Sequence, residues 1–197
     1  MLFYFMMSKT TWLKQQVRQQ AASARRKLTA EQRQAYSASI MQYAQDYVSS
    51  NGTQCLLTYK ALPVEVNTDV LLEGNTWKAY APRMLDEHHM VWIAVGATSV
   101  WKKADFGVLE PIGDELWQPS SMKTTLLCPL LAFDRQGHRL GMGKGYFDRW
   151  LSKYGGNIDV VGLAYSCQEL PKVPVEPHDV PLSTIITEHG VFACPTT

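Results

Sequence analysis

The chain has 197 residues, which is enough for one domain with a complete hydrophobic core. Its formal net charge is +1 and 19% of its residues are charged, so electrostatics give no reason to expect nucleic acid or an anionic membrane as a partner. The four cysteines contain no C-x-x-C pair, which is typical of a reducing compartment rather than of a disulfide scaffold or a zinc site. We therefore expect a cytoplasmic protein with a single domain over residues 1–197.

The first seven residues, MLFYFMM, form an apolar segment that is too short to span a bilayer and has no basic residues before it. This segment is either a short docking strand or a disordered or misassigned start, with Met6 or Met7 as the true beginning. No other stretch has the length of a transmembrane helix, so the sequence predicts no membrane span.

Two helices are predicted near the N-terminus. The first covers residues 8–27, which are rich in Gln, Ala, Arg and Lys, with Ser8 as a candidate N-cap. The second begins at a capping box, Thr29-x-x-Gln32, and runs to about Val48, before the stop signal Asn51-Gly52. An apolar stripe at helical spacing predicts the buried face of the first helix. Its residues are Trp12, Leu13, Val17 and Ala21.

The same N-terminal region is locally positive. Its basic residues are Lys9, Lys14, Arg18, Arg25, Arg26, Lys27 and Arg33. Most segments of this kind are solvated helix faces. The lesser alternative is that one or two of these side chains reach a phosphate.

The rest of the chain alternates strand-like and helix-like segments. Strands are expected at residues 54–59, 77–81, 90–95, 126–133, 158–164 and 184–187, with a short helix at 69–72 and a long ordered loop at 106–119. The run at 126–133 is apolar almost throughout, as in a central strand that is covered on both faces. This alternation predicts an α/β layered sandwich with a largely parallel central sheet flanked by helices, including the N-terminal helical pair.

Glycines at positions 141, 143 and 145 follow the central strand and precede residues 146–151, which can start a helix. A strand, a glycine-rich loop and a helix N-terminus together form an anion site, because main-chain N–H groups converge and the helix end carries partial positive charge. Arg139 and Lys144 add cationic charge beside the loop. The spacing is neither a Walker A loop nor G-x-G-x-x-G, so a glycine-rich hairpin or a helix start without a ligand also fits.

Four carboxylates are candidates for a role near such a loop. Asp148 lies in the first turn after it, where it could bind Mg²⁺ and also complement the helix dipole. Asp134 is expected to form an Asx-type turn first and to bind metal second. Glu65 is either an exposed loop carboxylate or an acceptor for two N–H groups of an amino-pyrimidine or amide. Asp179, in a Pro-rich loop, is by its surroundings a turn former.

Residues 130–149, LLAFDRQGHRLGMGKGYFDR, resemble the signature of 5-formyltetrahydrofolate cyclo-ligase, also called methenyltetrahydrofolate synthetase. Shorter matches follow the family in the same order, from about residue 14 to residue 187. They are Lys14-x-x-x-Arg18, Thr29-Ala-Glu-Gln-Arg33, Glu65-Val-Asn-Thr68, Phe106-Gly-Val-Leu-Glu110-Pro111, Gly162-Leu-Ala-Tyr-Ser-Cys-Gln168, Leu170-Pro171 and His178-Asp179. The glycine-loop motif is specific, and the shorter matches gain weight from their order.

The resemblance implies an enzyme that uses ATP and Mg²⁺ to cyclise 5-formyltetrahydrofolate to 5,10-methenyltetrahydrofolate, with release of ADP and phosphate. Its partners would be a reduced folate and ATP, and a monomer is expected. The chemistry suits these residues, because an amide-like formyl oxygen leaves poorly until it is phosphorylated. In such a reaction the protein mainly positions groups and neutralises charge.

The same resemblance implies a role for individual residues. Tyr146, Arg139 and Lys144 are the candidate catalytic residues, and Asp148 and Asp179 are the candidate Mg²⁺ ligands. The residues expected to bind ATP are Lys14, Arg18, Arg139, Leu140, Gly141, Met142, Gly143, Lys144, Gly145, Tyr146 and Phe147. Those expected to bind the folate are Glu65, Phe106, Met142, Gly143, Lys144, Gly145 and Tyr146. Gln168 is expected near the site.

Three positions depart from the family pattern. Met142 stands where many members have Arg, Leu130 replaces a common Gly, and Ser183 stands where an Asp is frequent. Met142 removes a cation, which Lys144 or Arg139 could replace. It also motivates a second hypothesis, a folate- or nucleotide-binding protein on the same fold that has lost turnover. A third hypothesis, a different sugar-phosphate or acyl enzyme on a related scaffold, rests on fold analogy alone.

Overall fold

The computed structural model describes residues 8–73, 76–177 and 179–195, except for the side chain of Phe106, so the prediction for residues 1–7 lies outside the described part of the chain. The helices are α1 (Lys9–Arg26), α2 (Ala30–Ser50), α3 (Asp69–Leu72) and α4 (Tyr146–Tyr154), and 3-10 turns are formed by Asp105–Gly107, Gly155–Asn157 and Ser166–Gln168. The strands are β1 (Cys55–Leu57), β2 (Lys78–Met84), β3 (Met90–Val95), β4 (Val100–Lys103), β5 (Leu109–Ile112), β6 (Thr124–Pro129), β7 (Ala132–Phe133), β8 (Arg139–Leu140), β9 (Asp159–Leu163), β10 (Thr184–Thr187) and β11 (Gly190–Ala193). Among the described residues, no helix combines the length and apolar character that crossing a bilayer requires.

The central sheet has seven strands in the order β11-β10-β9-β6-β1-β2-β3. The pairings among β10, β9, β6, β1 and β2 are parallel, and the edge strands β11 and β3 are antiparallel to their neighbours. This arrangement confirms the predicted α/β sandwich with a largely parallel sheet. Because parallel strands end at one edge, the segments that follow β1, β6 and β9 converge there, where ligands of such sheets usually bind.

Alternate residues of the central strands are buried on opposite faces of the sheet. On one face Leu56 packs with Ile40 and Ala44 of α2, and on the other Leu57 belongs to a cluster that includes Trp150 of α4. All the side chains of β1 are fully buried, as expected for a strand covered on both sides. Burial of each large aliphatic side chain of this kind contributes about 1.5–3 kcal/mol.

The predicted starts of both N-terminal helices are confirmed. Ser8 caps α1 by accepting a hydrogen bond from the Thr11 N–H at 3.1 Å. Thr29 and Gln32 form a reciprocal capping box, in which each side chain accepts from the main-chain N–H of the other residue. These caps satisfy N–H groups that have no partner within the helix, so local sequence alone fixes where the helices begin.

The prediction of the buried face of α1 is wrong for its two largest apolar residues. Trp12 is 53% exposed and Leu13 is 36% exposed, whereas Lys14 and Arg25 are 5% and 4% exposed. Of the apolar stripe, only Ala21 is fully buried. The reason is that the inward face of α1 meets carboxylates and main-chain carbonyls, which suit cations better than an indole.

The predicted central strand at residues 126–133 is in fact two strands. β6 ends at Pro129, and the chain then bends into the small hairpin of β7 and β8. The carbonyl groups of Leu130 and Leu131 accept hydrogen bonds from the side-chain amide of Gln168, at 2.5 and 3.1 Å. A side chain thus provides the hydrogen bonds that a neighbouring strand would otherwise provide. The continuous apolar run gives no sign of this change of partner.

Three other strands, β4, β5 and β11, were not predicted. The expected loop at residues 106–119 contains β5, which pairs with β4 in a separate antiparallel hairpin and includes Pro111. The edge strand β11 pairs with β10 and turns back at Gly190. β5 and β11 lie at edges, where a proline or a glycine is tolerated, so the composition concealed them.

Candidate active site

The glycine loop, residues 141–145, connects β8 to α4. Gly143 and Gly145 have φ values of 97° and 70°, a backbone region that glycine enters without a steric penalty. The loop itself is not paired as a strand, since β8 ends at Leu140. At the N-cap of α4, Gly145 has no side chain that could accept from the first helical turn. The loop therefore keeps N–H groups that an anion could bind.

Helix α1 packs against this loop through Arg18. The Arg18 Nε donates to the carbonyl oxygen of Gly141 at 3.1 Å. A Cβ atom added to Gly143 would lie 3.2 Å from Cζ of Arg18, so the approach of the guanidinium depends on glycine at this position. The first helix thus brings a cation to the loop, as the resemblance implies.

One turn earlier on α1, Lys14 lies between two carboxylates. Its Nζ is 2.8 Å from Oε2 of Glu176 and 2.5 Å from Oδ2 of Asp179. Oδ2 of Asp179 also accepts from the main-chain N–H of Glu176 at 2.7 Å. The structure therefore joins a predicted ATP-binding residue to a predicted metal ligand, two residues that lie 165 positions apart in the chain.

The second predicted metal ligand, Asp148, accepts a hydrogen bond from Nη2 of Arg139 at 2.7 Å. Arg139 is 6% exposed, and its Nε is buried without a hydrogen-bond partner among the described residues. Arg139 therefore orients the carboxylate of Asp148, and its predicted contact with the phosphates stays a prediction. Both candidate metal ligands are held by a cation of the chain.

Asp148 and Asp179 are the candidate ligands for the implied Mg²⁺ ion. Their oxygens are the ligands that Mg²⁺ prefers, and this ion commonly binds one or two carboxylates together with substrate phosphates and water. The described residues contain no group of three or more His, Cys, Asp or Glu side chains that could hold a metal ion. The donor set thus fits an ion that a nucleotide triphosphate helps to bind.

The first turn of α4 is tied to the turn between β2 and β3. The Tyr146 hydroxyl donates to the carbonyl of Asp86 at 2.8 Å, and Nε of Arg149 donates to the carbonyl of His88 at 2.9 Å. The guanidinium of Arg149 also lies over the Tyr146 ring, 5.2 Å from its centroid. Hydrogen bonds from the His88 N–H and then from His89 lower the pKa of Asp86 to about 2. This turn is accordingly ordered by its own side chains.

Side chains of the glycine-loop motif differ in what they can offer a ligand. Lys144 and Met142 are exposed, and Met142 is 62% exposed. Leu140 is buried in a cluster with Ala21, and the Phe147 ring packs edge-on against Trp92 at 6.1 Å. Leu140 and Phe147 can therefore contact a nucleotide through the main chain, while their side chains stabilise the fold.

Glu65, the predicted folate acceptor, is a buried carboxylate rather than an exposed one. Its side chain is 9% exposed, and Oε2 accepts from the Leu62 N–H at 3.0 Å. Burial raises the pKa of Glu65, and the Leu62 N–H and Arg25 partly oppose this rise. Glu65 also lines a pocket of about 600 Å³ between α2 and the segment after β1, together with Arg33, Ser37 and Tyr165.

Other candidates have structural partners. Gln168 is 1% exposed and holds the bend after β6, so it lies at the carboxyl edge of the sheet, and its expected place near the site stays a prediction. Asp134 accepts from the N–H groups of Gln136, His138 and Val173, which confirms its turn role and occupies its oxygens. The side chain of Phe106 is outside the described residues.

Two arginines make contacts around the site that were not predicted. Arg149 orders the turn beside Tyr146, and Arg25 of α1 approaches Glu65. The position of Arg25 in the sequence could have indicated its place near the site, because it lies eleven residues after Lys14 and therefore on the same helical face. Arg149 had no signal of its own, because its partners are main-chain carbonyls distant in sequence.

Comparisons with known proteins agree with this geometry. A model of the 5-formyltetrahydrofolate cyclo-ligase family matches residues 10–188. The chain is 30% identical over 184 residues to the 5-formyltetrahydrofolate cyclo-ligase of Haemophilus influenzae, a match that covers 89% of this chain and 98% of that protein. It is 43% identical over 75 residues to the Escherichia coli protein of the same name, covering 38% of this chain and 41% of that one.

Solved structures show the same fold. The NMR structure of Aquifex aeolicus 5,10-methenyltetrahydrofolate synthetase superposes with a TM-score of 0.78 at 25% identity and covers 94% of each chain. The 5,10-methenyltetrahydrofolate synthetase of Mycoplasma pneumoniae has a TM-score of 0.71 at 23% identity and covers 89% of this chain and 98% of its own. At that identity the second comparison supports the fold only.

Proposed function

The chain belongs to the 5-formyltetrahydrofolate cyclo-ligase family and is an enzyme of that family, and we propose from this premise the reaction that it catalyses. The substrates are 5-formyltetrahydrofolate and ATP with Mg²⁺, and the products are 5,10-methenyltetrahydrofolate, ADP and phosphate. The observation that carries the proposal is the hydrogen bond from Arg18 to the glycine loop, together with the ion pairs of Asp179 with Lys14 and of Asp148 with Arg139.

The proposed chemistry is phosphoryl transfer followed by ring closure. The formyl oxygen attacks the γ-phosphorus of ATP, the bond to the β–γ bridging oxygen breaks, and ADP leaves. N10 of the folate then attacks the formyl carbon, the carbon–oxygen bond breaks, and the oxygen departs within inorganic phosphate. Loss of the N10 proton completes the methenyl bridge. Positioning and charge neutralisation are what such a sequence requires of the protein.

In this proposal the glycine loop binds the triphosphate through its N–H groups, and α1 supplies cations from one side. Arg18 already lies against the loop, and Lys14 lies next to Asp179. Lys144 is exposed on the loop, where it can supply the charge that Met142 does not. Arg139 acts through Asp148, whose carboxylate it holds at 2.7 Å.

The folate side of the proposed site contains Glu65, Tyr146 and Phe106. Glu65 would accept N–H groups of the amino-pyrimidine edge, which matches a buried carboxylate better than a solvated loop residue. Tyr146 begins α4 directly after the loop, so it can lie between the folate and the nucleotide. Phe106 would line the folate pocket.

Asp148 and Asp179 would hold the Mg²⁺ ion, and their oxygens fit this role. When bound, the ion would offset the negative charge of the triphosphate. The chain's own contribution is to fix both carboxylates, one by Arg139 and the other by Lys14.

A direct test combines spectroscopy with product analysis. Purified protein with 5-formyltetrahydrofolate, ATP and Mg²⁺ should develop the methenyl absorbance band and release one ADP per product. Folate binding without ADP formation would instead favour a binding protein that has lost turnover. Asp148→Asn keeps an acceptor for Arg139, so we expect an unchanged fold and a loss of turnover of about a hundredfold or more. Asp46→Asn, an exposed carboxylate of α2, is the matched control.

We also propose that the protein is a cytoplasmic monomer. The cysteines at 55, 128 and 194 are buried and free, which suits a reducing compartment. Light scattering of the purified protein tests the monomer, and a mass of twice 22.2 kDa would contradict it.

A further inference from the structure

The inward face of α1 carries a row of cations that continues beyond the proposed ATP site. Lys14, Arg18, Ala21 and Arg25 follow one another at intervals of four, three and four residues, so they share one helical face. Lys14 and Arg18 reach Asp179 and the glycine loop. Arg25 lies roughly 16 Å further along the axis than Lys14, at about 1.5 Å per residue. The row therefore runs past the phosphate region to Glu65.

Arg25 is a buried cation with few hydrogen-bond and ion-pair partners among the described residues. It is 4% exposed, and its Nε has no hydrogen-bond partner among the described residues. Its nearest anion is Glu65, with 3.9 Å between Nη1 and Oε1, which is longer than a hydrogen bond. A buried guanidinium with so few partners destabilises the fold, so packing alone does not account for an arginine here.

Within the described part of the chain, Arg25 is the one cation at ion-pair distance from Glu65. Five groups with ionisable side chains surround this carboxylate or its pocket: Arg25 of α1, Tyr59 after β1, Tyr165 before the 3-10 turn, and Arg33 of α2 and Asp69 of α3, which line the pocket. The tyrosine hydroxyls donate to main-chain carbonyls, that of Tyr59 to Val66 and that of Tyr165 to Glu65 itself. Arg25 is thus the described side chain best placed to stabilise the charge of Glu65.

We propose that Arg25 is a positioning residue for folate recognition, which keeps the Glu65 carboxylate ionised and oriented toward the amino-pyrimidine edge of the substrate. This inference rests on the proposed function. An ionised carboxylate offers acceptors only and matches two N–H donors of the pyrimidine. A protonated carboxylic acid would present a hydroxyl donor to the same N–H groups and lose one of the two hydrogen bonds.

The direction of the pH effect follows from the chemistry of the pair. Burial raises the pKa of Glu65, and the positive charge of Arg25 opposes that rise. The ionised form is present above this pKa and is lost as the pH falls through it. Removal of Arg25 raises the pKa of Glu65 further, so folate affinity should decline at a higher pH than in the wild type.

The test measures the dissociation constant of 5-formyltetrahydrofolate by calorimetry from about pH 5 to about pH 8, the range in which a buried carboxylate titrates. Arg25→Met should weaken binding about tenfold or more at neutral pH and move the decline to higher pH. Arg25→Lys should restore much of the affinity, because it keeps the charge. Arg26→Met removes an exposed cation from the next position and should change neither quantity. ATP affinity should stay within about twofold in the Arg25 variants, since Arg25 lies beyond the phosphate region.

A double-mutant cycle separates this role from a purely structural one. Glu65→Gln cannot titrate, so adding Arg25→Met to it should cause no further loss of folate affinity and no pH dependence. The double variant also leaves no unpaired buried charge, which keeps the test usable if Arg25→Met alone folds poorly. An equal loss in both backgrounds, or an unchanged pH profile in Arg25→Met, would overturn the inference. Failure of the wild type to bind folate would instead overturn the proposed function.

Discussion

Helices α1 and α2 follow each other in sequence and have similar lengths, but they turn opposite chemistry toward the interior. In α2, Ile40, Ala44 and Val48 are fully buried at intervals of four residues. In α1, Lys14 and Arg25 are almost as deeply buried, and Trp12 is exposed. Apolar burial attaches α2 to the sheet, whereas charged and polar contacts with functional segments attach α1. The difference teaches that stability and activity should respond to different helices.

The largest effect on stability is expected in α2. Ile40→Ala removes a fully buried side chain from the cluster around Leu56 and should lower the free energy of unfolding by about 2–5 kcal/mol. Denaturant unfolding measures the loss, and Ser39→Ala on the exposed face should stay within about 0.5 kcal/mol of wild type. The folded fraction of Ile40→Ala should keep its kcat/KM. A fall in kcat/KM of folded Ile40→Ala protein would contradict the conclusion that α2 serves stability rather than activity.

The corresponding effect in α1 should be on activity. Lys14→Met removes the cation between Glu176 and Asp179, so we expect kcat/KM to fall about 10²–10³-fold, the usual effect of losing one electrostatic contact in an active site. Steady-state kinetics with varied ATP measure it. Lys9→Met, at the exposed start of the same helix, is the control. Equal activities of the two variants would contradict a functional role for this face.

A glycine substitution tests the contact between α1 and the loop. Gly143→Ala introduces a Cβ at φ 97° that lies 3.2 Å from Arg18, and it should raise the KM for ATP about tenfold through strain of about 1–3 kcal/mol. Gly141→Ala has ordinary φ and no atom within 4 Å of its Cβ, so its effect should be clearly smaller. The ratio of the two KM values measures how much ATP binding depends on the contact between Arg18 and the loop. A ratio near one would contradict a role for this contact in ATP binding.

The smallest expected effects concern the helix caps. Thr29→Ala removes one half of a reciprocal capping box and should cost about 1 kcal/mol of stability, whereas Ser8→Ala removes a cap that has no reciprocal bond to the Ser8 main chain and should cost about 0.5 kcal/mol. Thermal unfolding measures both. A larger loss for Ser8→Ala would show that α1 contributes more to global stability than its charged face suggests.

Local features of these helices were predictable from sequence, and distant partners were not. The caps at Ser8 and Thr29 depend on residues three positions away, so the pattern identified both starts. The buried face of α1 was misassigned because Trp12 dominates any apolar count, while the partners of Lys14 are supplied by a loop 162 and 165 residues later.

The candidate site shows the same division. The glycine loop and Asp148 were named because the motif is continuous in sequence. The ion pair of Arg139 with Asp148 and that of Arg25 with Glu65 depend on how the chain folds, and single positions do not encode them. The bend after Pro129 was also missed, because the apolar run continues through it without a break. The carbonyl groups at the bend accept hydrogen bonds from the distant side chain of Gln168, which the local sequence does not reveal.

The link between Lys14 and Asp179 has a consequence for the order of folding. Helix α1 is made first during synthesis, but its lysine meets its carboxylates only after 162 further residues. Contacts of such sequence separation form late, because a long loop must close before they can form. Nascent chains that end before residue 176 lack both carboxylate partners of Lys14, as well as the strands β10 and β11. The ion pair of Lys14 with Asp179 therefore cannot form until most of the polypeptide has been made.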